Sequence, residues 1–403
     1  MHKKLSNYLK FIPRLTSLTS DVIYNSKPLD KSFEIAFKHL SDLKPADKEF
    51  LFQTATYIIR YWILLDEIYK NLFNTQKKDF QNILYIQQTI DRYVKKELKK
   101  PNSSELKIIE CYQNASKTRH IRESYPVWLD DCCNLELRDS WDSLSNVLNN
   151  QAEIVLRANS LKTTTQELLQ LLKNSGKEVS EIENYPDAIK LTAFFNVFKN
   201  ELYQAGYFEM QDAASQRIAP FLDLSTGMRV IDACAGNGGK TLHISGLMKN
   251  KGKIIAMDIA PYKLEVLKKR LKRSGAFNVE TRHIESSKTI KRMYNSADRL
   301  LLDVPCSGLG VLKRNPDIKY HITAEKLLEI QKTQGEILDK YSGVLTKGGI
   351  MVYATCSILP SENELQVKSF LEKKQGNFEM IEEKTISPTE GYDGFYMAKL
   401  KRI

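Results

Sequence analysis

Two cysteines stand at the ends of two apparent buried strands, Cys306 in LLDVPCSGLG (Leu301 to Gly310) and Cys356 in VYATCSILPSEN (Val352 to Asn363). A thiolate forms and breaks bonds to carbon readily, so one such residue can replace a hard step by two easier ones, with a second acid or base beside it to move the proton. A single cysteine at a strand end is most often a small, inert, buried side chain. Two of them, each after an apolar run and each in a turn flanked by Pro, Ser or Gly, favour chemistry. Asp303 lies three residues before Cys306. A carboxyl group in an apolar rim can stay protonated and hydrogen-bond a ring nitrogen, the bland alternative being a cap on the PCSGLG turn.

The glycine-rich run DACAGNGGKT, Asp232 to Thr241, shows what could react with such a thiol's partner. A phosphate-gripping GxxxxGK[ST] loop fails because Cys234 stands at its first glycine, and a GxGxxG dinucleotide turn fails because Thr241 stands at its third. What remains is a loop whose backbone approaches a nucleoside without a phosphate, with an acid on the next strand for the ribose hydroxyls. Asp258, ending KIIAMD, stands where that acid belongs, and capping the YKLEVL helix is compatible with the same position. S-adenosylmethionine is such a ligand. With a methyl donor over the strand ends, a thiolate adding to carbon 6 of a pyrimidine would make carbon 5 nucleophilic enough to take the methyl group.

These residues need a scaffold that gathers strand ends. MRVIDACAG, KIIAMDIA, RLLLDVPC and GIMVYATC read as buried strands, with helical stretches such as YKLEVLKKRLKRSG and AEKLLEIQKTQGEILDKY between them. That alternation predicts βαβ units and a mostly parallel sheet, in which ligands sit beyond the carboxyl ends. In the adenosylmethionine-dependent sheet order the strands ending in Asp303 and Thr355 are neighbours, which would bring Cys306 and Cys356 over one pocket. Before Gly206 the pattern differs. Ile154, Leu156 and Ala158 alternate with Val155, Arg157 and Asn159, and a short helix ends at Gly176, predicting a small α/β connecting domain over 145–205. Residues 1–144 read as helical: Phe33, Ala36, Phe37 and Leu40 recur at helical spacing, as do Leu51, Ala55, Ile58, Trp62 and Leu65 after a break at Lys44-Pro45. The three tryptophans, Trp62, Trp128 and Trp141, fall here and read as core.

DACAGNGGKT, the acid in AMDIAPYKL, DVPCSGLGVLKRNPDIKY, YATCSILPSENE and DGFYMAKLKR together resemble the successive motifs of the RNA cytosine-5 methyltransferases of the NOL1/NOP2/Sun family, and GYFEMQDAASQ resembles its lead-in to the first strand. The N-terminal stretch more loosely resembles the NusB-like helical domain of the bacterial Sun/Fmu branch, which modifies small-subunit ribosomal RNA. The resemblance implies a Rossmann-like, adenosylmethionine-dependent methyltransferase domain over 206–403. It implies Cys356 as nucleophile, Cys306 in product release and Asp303 beside both base and donor. Cys234, Ala235, Gly236, Asn237, Gly238, Gly239 and Lys240 would surround the methionine part of the donor, with Lys240 close to the base. Asp258 would bind the ribose, and the third donor position, commonly Asp in the family, falls on Glu285 in TRHIESSKT. The family has Ala-Pro where this chain has Gly236-Asn237, the double glycine and the lysine being kept.

Composition agrees with such a partner. The chain has 403 residues, with 60 Lys and Arg against 49 Asp and Glu, a formal charge of +11. The basic residues crowd Lys249 to Arg273, a surface that attracts polyanions such as RNA, although a solvated lysine face reads the same way. Six cysteines without CxxC spacing predict reduced thiols and no metal site. Mean hydropathy of -0.39 and the lack of a long apolar run predict a cytosolic protein, acting as a monomer without a membrane partner. The alternatives are transfer RNA as substrate, and a non-catalytic RNA-binding assembly factor, against which the pair of reactive positions counts.

Overall fold

The computed structural model describes residues 9–38, 43–75, 78–193 and 195–403. Its contacts divide the chain into two units, one of residues 1–150 with 312–324, the other of 151–311 with 325–403. Leu40 of the N-terminal apolar stripe lies outside the described residues.

The first unit is helical where described. Pro45, at the first turn of the helix Pro45–Arg60, follows Lys44 in extended conformation, so the expected break is a helix start. The expected continuous stripe from Leu51 to Leu65 is interrupted at Tyr61, after which Trp62–Phe73 forms a separate helix. Trp141 and Trp62 are buried, and Trp128 is half-buried. Residues 312–324, which the motif reading assigns to the methyltransferase part, pack instead in this unit. Lys319 is fully buried there, donating to the carbonyls of Glu123 (2.9 Å) and Arg60 (3.4 Å) and to Asn149 Oδ1 (2.6 Å), with its ammonium 4.0 Å from the Tyr125 ring centroid. Burial, and then the Arg60 guanidinium, push its pKa well down. Leu29 N–H and Asp317 (3.1 Å), and Tyr320 OH and the Ile59 carbonyl (2.8 Å), fix the same segment.

The second unit holds two sheets. Strands β1 (Val155–Ala158), β2 (Val179–Glu181), β3 (Ala188–Leu191) and β4 (Phe208–Met210) form an antiparallel sheet of order β2-β3-β1-β4. The alternation read over 154–159 does not become one wet and one dry face: all of β1 is buried. Arg157 donates to the Gly239 carbonyl (2.7 Å) and to Gln211, and Asn159 donates to the carbonyls of Gly206 and Ser274 (both 2.8 Å), so the polar residues are paired inside.

The larger sheet comprises β5 (Arg229–Asp232), β6 (Lys253–Asp258), β7 (Val279–His283), β8 (Ala297–Asp303), β9 (Leu345–Thr355), β10 (Phe378–Ile386) and β11 (Phe395–Arg402). Its order is β10-β11-β9-β8-β5-β6-β7, parallel from β9 through β7, with β11 running antiparallel to both neighbours. Successive side chains point to opposite faces, so Leu300, Leu302, Met351 and Tyr353 join one core while Leu301, Val352 and Ala354 join the other. All four strands read from the sequence are present, and β8 and β9 are adjacent as expected. Among the described residues no helix is long and apolar enough to cross a membrane.

A titratable pair lies where the small sheet meets the helix Gly239–Leu247 of the same unit. His243 Nε2 lies 3.1 Å from Asp187 Oδ2, and burial, with Arg157 adding, lowers the His243 pKa to about 4. An imidazole neutral in the folded state but titrating near its ordinary value when unfolded makes the unfolded state bind more protons between pH ~6.5 and ~4. Stability should therefore fall on acidification through that window, by up to about 3 kcal/mol. Denaturant titrations at stepped pH should show this slope, and His243→Gln, which keeps a donor toward Asp187, should flatten it.

Candidate active site

The parallel strands β5, β6 and β8 end on one edge of the sheet, presenting Asp232, Asp258 and Asp303 there. Asp232 is fully buried and accepts from the Thr241 hydroxyl (2.7 Å); burial, with Asp303 adding, pushes its carboxyl up to about 7. The glycine-rich loop follows β5. Gly236 and Gly238 have φ of +53° and +84°. A Cβ on Gly238 would lie 2.0 Å from Leu267 Cδ1, so the tight turn against the helix Pro261–Ser274 requires glycine. Asp258 holds this loop: one oxygen accepts Gly236 N–H and the other Ala260 N–H, each at 2.8 Å. Asp258 does not cap the helix that follows, whose N-cap is Ala260 and carries no side-chain cap, but it holds the turn leading into it, and each of its oxygens keeps a further lone pair directed elsewhere.

Asp258, Cys234, Gly236 and Asp303 line a cleft of about 450 Å³ together with Ile259, Pro305 and Tyr341. A smaller hollow of about 240 Å³ shares Cys234, Gly236 and Asp303 and adds Ala235, Asn237, Gly239 and Lys240. Gly238 shapes the loop without lining either space. Glu285 is not brought to the cleft: it lies two residues past β7, its side chain is 80% exposed, and its oxygen is 3.8 Å from His283 Nδ1. Lys240 Nζ donates to Asp303 Oδ2 at 2.6 Å and sits 5.4 Å from the Phe395 ring centroid. Burial lowers the Lys240 pKa, but the Asp303 carboxylate outweighs it and holds the ammonium above its ordinary range, with Cys356 adding to that.

The pairing register sets the cysteines. Asp303 of β8 lies opposite Ala354 of β9, and Val304 N–H still bonds the Ala354 carbonyl (3.1 Å), so the two strands end in step. Cys306 and Cys356 follow, with their sulfurs 3.1 Å apart. Hydrogen bonding to Cys356 and burial raise the Cys306 pKa well above the usual thiol value, so Cys306 keeps its proton. The turns are tied to each other and to the chain just before β11: Gly310 N–H donates to the Cys356 carbonyl (2.9 Å), and Gly394 N–H to the Gly310 carbonyl (2.8 Å). The motif reading gave no role to Glu362 or Gln334, which meet under these turns, nor to Asp232. Glu362 stands in the SENE run beside Cys356, a position that local pattern reads as the start of a helix.

A twisted, mostly parallel sheet with one reversed strand, carrying an acid-flanked glycine loop at its carboxyl edge, defines a Rossmann-like methyltransferase. The family model for the 16S rRNA methyltransferase RsmB/F matches residues 219–401, and that for the ferredoxin-like domain of RsmF/B-like methyltransferases matches 125–198. The ribosomal RNA small subunit methyltransferase B of Yersinia enterocolitica is 35% identical over 287 residues, 68% of this chain and 66% of its own length. Its counterpart in Escherichia coli is 33% identical over 304 residues, 71% of this chain and 68% of its own. The matched stretch thus spans about two thirds of these relatives' length. Among solved structures, PH0851 superposes with a TM-score of 0.78 at 23% identity, covering 96% of this chain and 98% of that one, a likeness of fold. A methyltransferase homolog protein from Pyrococcus horikoshii gives 0.63 at 25% identity, covering 71% and 98%. The chain belongs to the RsmB/F family of 16S rRNA methyltransferases.

Proposed function

We propose that this protein transfers a methyl group from S-adenosylmethionine to carbon 5 of a cytosine in small-subunit ribosomal RNA, through a transient bond between Cys356 and carbon 6. The observation that carries this reading is the pair of thiols 3.1 Å apart, at the ends of adjacent strands, with Asp303 and Lys240 on the same edge. The cleft fits the donor on its chemistry. Asp258 has lone pairs left for ribose hydroxyls, Ile259 and Pro305 offer apolar walls, and Gly236 admits close backbone contact. Bound there, the donor supplies an electrophilic methyl group on a sulfonium.

Cys356 Sγ, as thiolate, adds to carbon 6 of the cytosine, and the electron pair released makes carbon 5 the nucleophile. Asp303 and Lys240 share a short charge-assisted bond, so together they can hold the base and offset charge that develops on the ring. After methylation, a water from solvent takes the proton on carbon 5, the C5–H electron pair restores the C5–C6 double bond, and the C–S bond breaks, returning its electron pair to the Cys356 sulfur. Cys306, held protonated, can give a proton to the departing thiolate and is regenerated from solvent. The target base must be unstacked to reach the thiol, and the lysines and arginines between 249 and 273 suit the RNA backbone.

The 1–144, 145–205 and 206–403 division stays part of this reading as a division of labour, the last span carrying chemistry and the first two RNA or partner contacts. Methylation of 16S rRNA and of transfer RNA with labelled donor, followed by bisulfite sequencing, tests it: 5-methylcytosine confined to the ribosomal RNA is expected, and label on another atom or on transfer RNA alone refutes it. Asp258→Ala should weaken donor binding by about 10- to 100-fold in calorimetry, since it removes both the ribose acceptor and the loop's anchor. Unchanged affinity would remove Asp258 from the donor site.

A further inference from the structure

The two cysteine turns are built alike. Each reads Cys-Ser-x-Leu, Cys306 to Leu309 and Cys356 to Leu359, and in each the serine hydroxyl oxygen accepts the leucine N–H, at 3.4 Å for Ser307 and 3.1 Å for Ser357. Both hydroxyls donate to the same oxygen, Glu362 Oε2, and lie 3.2 Å from each other. The other oxygen, Oε1, accepts Ser307 N–H (2.8 Å) and Gln334 Nε2 (3.0 Å), and Gln334 also donates to the Pro305 carbonyl (3.0 Å). Glu362 and Gln334 are fully buried. Tyr353 OH bonds the Glu362 carbonyl at 2.6 Å, and Asn363 bonds Thr355 and the Ser357 carbonyl. A single carboxylate thus accepts four hydrogen bonds, three of them from the residues that directly follow the two thiols.

We infer that Glu362 is a positioning residue that holds the Cys306 and Cys356 turns in one fixed relation, keeping the two sulfurs in contact. Strand pairing alone stops short of this: the last register pair is Asp303 with Ala354, and past the strand ends one backbone bond, Gly310 N–H to the Cys356 carbonyl, joins the two turns, the rest of their connection running through the Glu362 side chain. A carboxylate suits the task because it accepts on both oxygens, whereas an amide in its place would turn one acceptor into a donor facing two hydroxyls. Four accepted bonds also satisfy a charge that burial would otherwise penalise heavily. The inference rests on the covalent reading above for its catalytic consequence, but its geometric part stands without RNA or donor.

The test uses the full chain with Glu362→Gln, and with the Ser307→Ala/Ser357→Ala pair, which leaves the carboxylate its two Oε1 partners. Dibromobimane, which becomes strongly fluorescent only when both its ends are alkylated, reports bridging of Cys306 and Cys356, with Cys306→Ala and Cys356→Ala as blanks for the other cysteines. Bridging should slow at least about tenfold in the Glu362 and serine variants, while alkylation by a monofunctional reagent continues. In methylation assays kcat should drop by about 10²-fold, the scale of a misplaced reacting group, with KM for RNA and donor affinity near wild type. Wild-type bridging and kcat in a folded variant overturn the inference, as does a loss confined to thermal stability. Should Glu362→Gln fail to fold, the serine pair decides on the same criteria. Failure of methylation at carbon 5 by the unaltered protein, with bridging still dependent on Glu362, would sink the functional reading and leave the positioning role standing.

Discussion

Cys356→Ala is expected to abolish methyl transfer, with kcat falling by on the order of 10⁴-fold or more, because it removes the thiol that forms the bond to carbon 6. The side chain follows β9 at its carboxyl end, half-buried beside Cys306 and outside the lining of the donor cleft, so its removal should leave the sheet and that cleft unchanged. Donor affinity, read by calorimetry, should match wild type. Residual methylation within an order of magnitude of wild type would show that carbon 5 is attacked without prior addition by this thiol, and would transfer the nucleophile's role to Cys306 or to no residue.

Cys306→Ala should produce a different failure. Addition by Cys356 and methylation remain possible, but the neighbour that keeps its proton is gone, so elimination should stall. The RNA should accumulate as a covalent complex that survives denaturing electrophoresis, with label incorporated once per protein and turnover lower by about 10²- to 10⁴-fold, the range for one general acid or base. Boiling with excess thiol should leave the band in place, since the bond is to carbon and not a disulfide. If the adduct instead forms with Cys356→Ala and not with Cys306→Ala, the two roles exchange.

Much of this site could be read from the sequence because parallel strands advertise themselves. A strand buried on both faces is a nearly unbroken apolar run, so RLLLD and GIMVYAT are visible, and whatever polar residue ends the run falls at the ligand-binding edge. Asp258, Asp303, Cys306 and Cys356 emerge in this way. β7 and β10 do not, because VETRH is half-buried throughout and most of FEMIEEKTI is exposed, leaving no apolar signal. Glu362 escaped for another reason: its partners, Ser307 and Gln334, are 55 and 28 residues away, and nothing local distinguishes a buried carboxylate from a solvated one. Glu285 shows the converse. It was assigned by family position in the loop after β7, and the loop carries its side chain outward. The burial of Arg157 and Asn159 is likewise invisible in the local pattern, since their partners, Gly239 and Ser274, come 82 and 115 positions later.

The same distance effect governs residues 312–324, whose anchor Lys319 finds acceptors 170 to 259 positions earlier. Because this short return visit fills the middle of the helical unit, that unit is not a contiguous cassette. A fragment stopped at Asn150 would lack the ammonium that answers Glu123 and Asn149, and should be aggregation-prone unless a peptide spanning 312–324 is supplied in trans. An ancestor that acquired or shed this helical part by recombination would have needed three breakpoints, after residues 150, 311 and 324, the second close behind a reactive cysteine.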